Sequence, residues 1–260
     1  MSATTIDAPL ARDTRPGYAR LIRIELRKMY DTRAGFWLLV TAVLLAGLAA
    51  ALTILTGSDT GRNFSNAMDN STQAINFLVP VVGILLVTSE WSQRTAQVTF
   101  TLVPRRERVL VAKVGAAVLL ALAAFVVTIA LSAVFTAIGG KESIDTGQGA
   151  WEIGGDVLLQ IALFNVISML IGVGLGAAIL LSAPAIVAAF VLPVGVSLIC
   201  ELISSLDDVA NWIGQGEALS PLSDHALSGT EWGRVVTATL LWAALPLAVG
   251  LWRFVKSEVR

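Results

Sequence analysis

Six long apolar runs dominate this chain, at about residues 36–56, 74–90, 109–138, 157–181, 185–204 and 235–254. A helix needs about 20 mainly apolar residues to cross the hydrocarbon core of a bilayer. None of the runs alternates as a membrane strand does, so each reads as a helix that satisfies its own backbone. Composition agrees, with 55% of the 260 residues hydrophobic and 14% charged; soluble domains carry about 25% charge. The expected fold class is an all-α integral membrane protein. Residues 1–34 form a polar lead and 35–260 a single six-span domain.

The first run, FWLLVTAVLLAGLAAALTIL, is longer than the apolar core of a signal peptide and reads as a retained span, although AGLAAA mimics a cleavage site. Only Ser182, Ala183 and Pro184 separate the fourth and fifth runs, and proline removes a backbone donor, so a tight hairpin is expected there. Pro80 and Pro193 are expected to kink or loosen the second and fifth spans. Ser168, Gly172 and Gly176 form a small-residue ridge suited to close helix packing.

Charge sets the predicted orientation. Fifteen of the eighteen Lys and Arg residues fall in the N-terminal lead, in the 94–113 stretch or at the C-terminus. Basic residues favour the cytoplasmic side, which places both termini inside and the chain in the cell membrane. Ser58–Ser71, Gly140–Glu152 and Asp207–Glu231 are then expected outside. Trp37, Trp91 and Trp252 fall near the inner interface, and Trp151, Trp212 and Trp232 near the outer one. Trp242 is mid-span and should pack on a neighbouring helix. A net charge of −1 excludes a globally basic nucleic-acid binder.

Catalytic chemistry is not legible. The single histidine, His225, lies in a predicted external loop and reads as solvated. The single cysteine, Cys200, reads as a buried small hydrophobe. There is no H-E-x-x-H, no phosphate loop and no span with two carboxylates. The chain reads as a non-enzyme that binds no cofactor or metal itself. Glu201, in the fifth span, is either a functional intramembrane carboxylate or a headgroup-level residue facing water. Asn76, Gln160 and Asn165 either bond between helices or face a pathway.

Two polar stretches remain. In YARLIRIELRKMY, Tyr18, Ile22, Leu26 and Met29 share one helical face while Arg20, Arg23 and Arg27 share the other. Such a helix lies in the membrane interface and touches lipid. Glu25 falls inside its apolar face and needs a partner, either Lys28 or a basic residue of the 91–108 segment. The second stretch runs EWSQRTAQVTFTLVPRRERVLVAK from Glu90. Topology accounts for its basic residues, but not for its length or order.

This stretch resembles the cytoplasmic loop of type-2 ATP-binding-cassette (ABC) exporter permeases, on Glu90, Arg94, Thr95, Pro104, Arg105, Arg106, Arg108 and Lys113. The R-x-E-L-R-K core of the lead (Arg20, Arg23, Glu25, Arg27 and Lys28 on one helix) is similar to the family's elbow helix. The resemblance implies a permease, homodimeric or paired with another, on two separate ATPase subunits that bind ATP and Mg. It implies a coupling helix between spans two and three that docks on each ATPase. It also implies a pathway lined by spans two and five, here assigned to Asn76, Phe77, Pro80, Phe190, Pro193, Ser197 and Glu201. A passive six-span channel, or a membrane interaction subunit that transports nothing, explains the topology equally well. Either leaves residues 91–108 and Glu25 without a role.

Overall fold

The computed structural model describes residues 17–58, 61–92, 106–142, 149–203 and 206–256. Among these, every regular element is a helix. Helix α1 (Tyr18–Asp31) is the amphipathic lead, and α2 (Arg33–Thr56) is the first span, capped by Thr32, whose hydroxyl accepts from the Gly35 N–H at 3.2 Å. Span two is broken into α3 (Phe64–Asn76) and α4 (Val79–Ser92). Pro80 has no N–H to give the Asn76 carbonyl, so the helix ends and restarts there. Span three is α5 (Arg106–Gly139), span four α6 (Gly155–Ile179) and span five α7 (Ser182–Leu202).

Short helices α8 (Asp207–Ile213), α9 (Gln215–Leu219) and α10 (Pro221–Asp224) precede span six. That span runs as α11 (Gly229–Thr239), a π-helical turn at Leu240–Ala244, and α12 (Leu245–Lys256). The π turn sits just before Pro246, which cannot bond back to the Trp242 carbonyl. All six spans are long and apolar enough to cross a membrane.

Span four is the central element. It packs on α4, α5, α7 and α12, and it and span two are the most buried of the six. The Ser168, Gly172 and Gly176 ridge accounts for its closest approach. A Cβ on Gly172 would lie 2.0 Å from the Pro80 carbonyl oxygen, and one on Gly176 3.1 Å from Ile84. Spans one, three and five instead present mostly exposed apolar surface, as lipid-facing helices do.

Three expectations need correction. The hairpin between spans four and five turns at Leu180 and Leu181, not at Ser182–Pro184. Leu180 adopts a left-handed φ of 62° and its N–H bonds the Gly176 carbonyl at 2.8 Å. Pro184 lies in the first turn of α7, where the missing N–H costs nothing. Second, α7 continues through Pro193 without a break. Third, two presumed external loops are partly folded into the protein. Residues Phe64–Ser71 belong to α3, with Ala67, Met68 and Ser71 buried, and Leu219 and Leu222 of α9 and α10 are buried against α6 and span six. Trp242, expected to pack mid-span, donates its indole N–H to the Ile213 carbonyl at 2.7 Å, which pulls α8 back along span six.

Candidate functional site

The most polar buried cluster lies at the end of the bundle that carries α1. Leu21, Glu25 and Met29 repeat at i, i+4 and i+8 and form the buried stripe of that helix. The stripe rests on the first turns of α5. Gly115 permits this closeness, since a Cβ there would meet Ile22 Cδ1 at 2.8 Å. Glu25 is thereby held in the packed interface, beside Glu90 from the end of α4 and Lys113 from two turns into α5.

Four charges close into a ring. Lys113 Nζ lies 2.7 Å from Glu25 Oε2 and 3.3 Å from Glu90 Oε2. Lys28 Nζ lies 2.7 Å from Glu25 Oε1 and bonds Glu90 Oε1 as well. Charge alternates around the ring and sums to zero. Lys113 is 0% exposed and also donates to the Leu86 carbonyl at 2.8 Å, so its ammonium makes two hydrogen bonds and one longer ion-pair contact. Removing an ion from water costs several kcal/mol, which only close, hydrogen-bonded counter-ions offset. The arrangement is stable as a set and unstable when one member is missing. Burial works to lower the Lys28 pKa, but the Glu25 and Glu90 carboxylates outweigh it and hold the ammonium above the ordinary lysine value.

Glu25 therefore has both an expected and an unexpected partner. Lys28, three residues on in the same helix, is the expected one. The other partner among the described residues is Lys113, five positions beyond the 91–108 segment. Arg108 instead places its guanidinium 5.0 Å from the ring centre of Tyr18, a cation–π contact between α5 and α1. Arg20, Arg23 and Arg27 are on the exposed face of α1, where Arg27 pairs with Asp31 at 3.0 Å. Arg94, Thr95, Pro104 and Arg105 lie outside the described residues; Arg106 opens α5, and its side chain is likewise outside them. The same end is stitched further by Thr88 and Ser182, whose hydroxyls are 2.7 Å apart, and by Arg253, which donates to the Ala178 carbonyl.

The residues assigned to a pathway divide into two groups. Asn76, Phe77 and Pro80 line one cavity of about 230 Å³ at the break in span two. Phe190 packs on Phe77 with ring centroids 4.8 Å apart and the ring planes tilted by 34°, joining span five to that wall. Pro193 and Ser197 lie further along α7 and are not in the lining, and Glu201 is exposed near its end. Sequence reasoning missed the opposite wall, where Phe164 of α6 and Gln215, Leu219 and Ser220 of the fold-back complete the cavity. The signal for it was the apolar spacing of Ala218, Leu219 and Leu222 within an otherwise polar stretch.

Six apolar helices, two of them buried at the centre and one end locked by a ring of charges, define a multi-pass helical membrane protein. The model of the ABC-2 family transporter proteins matches residues 21–204, from α1 to just past α7. That is well over half of the chain, and the chain belongs to this family. No curated protein matches it.

Proposed function

We propose that the chain is the permease subunit of an ABC exporter, working as a dimer on separate ATPase subunits that bind and hydrolyse ATP with Mg. Both termini and the charge ring are cytoplasmic in this reading, in keeping with the bias of basic residues. The observation that carries it is the ring itself. The Glu90–Arg108 segment, proposed as the ATPase-docking lever, covers the connection from α4 to α5, and the ring clamps those two helices to α1.

A clamp in that position has a mechanical use. A push delivered to the Glu90–Arg108 segment by a closing ATPase pair meets three helices tied by buried ion pairs. They move together, and the displacement reaches the break in span two. A passive channel has no need of such a clamp. Co-purification tests the reading: a tagged chain should retain an ATPase subunit through detergent extraction, and its ATPase activity should rise on reconstitution with the permease. Failure to retain any ATPase, with the chain folded, contradicts it.

A further inference from the structure

We propose that the cavity at the break in span two receives the ammonium head of an amphipathic organic amine. This rests on the transport reading and names its substrate class. Three features, two in the wall and one a turn of helix behind it, converge on a cation that donates hydrogen bonds.

The first is unmet acceptors. Asn76 Nδ2 donates to the Thr72 carbonyl at 2.9 Å and faces Asn165 Oδ1 at 3.5 Å, while Asn165 Nδ2 is engaged by the Ile161 carbonyl at 2.9 Å. That relay fixes the amide of Asn76 and leaves its Oδ1 without a partner; Gln215 Oε1, across the cavity, has none either. Buried oxygens left so are costly, and only a donor relieves them.

The second is charge. Gln73 lines the cavity, and Asp69 lies one turn back on α3, beside Gln73, Ser223 and Asp224. Asp69 has no basic partner among the described residues, and its Oδ1 is buried without a hydrogen bond. Asp224 is shared with His225 at 3.4 Å. A carboxylate within a span is expensive and points to a ligand or ion. None of the described lining residues is basic, so an anion would find no counter-charge in the wall.

The third is the aromatic wall. Phe77 and Phe164 line the same space, and ring faces attract ammonium groups as well as apolar stems. An ammonium brings three donors and a positive charge on a compact head. A neutral alcohol satisfies the oxygens but brings no positive charge toward Asp69, whose hydrogen-bonding neighbours Ser223 and Gln73 are neutral. At about 230 Å³ the cavity accommodates the head and a short stem.

The test uses the full chain in lipid nanodiscs without any ATPase, with empty nanodiscs as the partition control. Three probes that share a phenylethyl stem are titrated: 2-phenylethylammonium, 2-phenylethanol and 3-phenylpropanoate. The amine should bind saturably and about tenfold tighter than the alcohol, a margin of one paired charge, with the carboxylate weaker still. Asp69→Asn should bring the amine down to the affinity of the alcohol. Equal binding of alcohol or carboxylate, no saturable amine binding, or an amine affinity unchanged in Asp69→Asn overturns the proposal. Should Asp69→Asn fail to fold, the three-probe comparison on the unaltered chain decides alone. Because no ATPase is present, these outcomes are independent of whether the permease couples to one.

Discussion

Glu25 and Lys113 meet at 2.7 Å across 88 residues of sequence, both buried, one in a helix beside the membrane domain and the other in a span. Each is the other's counter-ion. Lys113→Met leaves Glu25 and Glu90 with only Lys28 between them, and breaking such a pair costs about 3–5 kcal/mol. Thermal unfolding in detergent should show a large loss of stability. Adding Glu25→Gln to Lys113→Met restores neutrality, because Lys28 and Glu90 then remain as one pair, and should recover part of the loss. A double variant as unstable as the single one would mean that Lys113 matters for packing alone.

Helix contact between spans two and four makes a second expectation. A Cβ on Gly172 would sit 2.0 Å from the Pro80 carbonyl oxygen, whereas one on Gly195 in α7 meets nothing within 4 Å. Gly172→Ala forces the two buried spans apart, an overpacking cost of about 1–3 kcal/mol or more. Gly195→Ala should be close to neutral. Comparing folded yield by size-exclusion chromatography separates them, and equal yields would contradict the observed helix contact.

His225 gives a pH dependence at the opposite end of the bundle. Its ring contacts Glu231 at 3.0 Å and Asp224 at 3.4 Å, and those hydrogen bonds raise its pKa above the ordinary histidine value. A raised folded-state pKa contributes stability fully below the unfolded pKa of about 6.5, and the contribution is lost as pH rises through the folded value. His225→Asn should therefore lower Tm most at about pH 5.5 and least at about pH 9. The effect is small, since the ring is half exposed and screened. A gap that widens with pH would reverse the assigned cause.

Much of this architecture was legible in the sequence, for a simple reason. Lipid demands long uninterrupted apolar runs, and five of the six spans have them. Span two begins earlier than hydropathy indicated because α3 carries Asn66, Asp69, Asn70 and Gln73 on one side. Its other side repeats Phe64, Ala67, Met68, Ser71 and Ile75 at helical spacing, a pattern that average hydropathy hides and periodicity shows. The misplaced charge of Glu25 was visible from its helical face. Lys113 was not identifiable as its partner, because nothing local relates positions 25 and 113. The cavity wall from α9 was missed for the same reason, the break in span two that it faces lying over a hundred residues earlier in the chain.

Orientation can be checked directly. With Cys200 replaced by Ala to remove the native thiol, Ser58→Cys should react with a membrane-impermeant maleimide added to intact cells. Arg106→Cys should react only after the membrane is opened. External labelling of Arg106→Cys in sealed cells would place the charge ring on the wrong side for any cytoplasmic ATPase.

In the proposed function the Glu90–Arg108 segment, held by the charge ring, carries ATPase motion into the spans. Arg94→Glu tests it most directly, measured as ATPase stimulation and export in proteoliposomes containing the permease and its ATPase subunit. Arg94 is one of fifteen basic residues on its predicted side, so its reversal should not flip the topology. A carboxylate of the partner facing it would meet a like charge, which can cost several kcal/mol. The expected outcome is normal insertion and expression, loss of ATPase association or of its stimulation, and loss of export. Export near the unaltered level, with the ATPase complex intact, would contradict it.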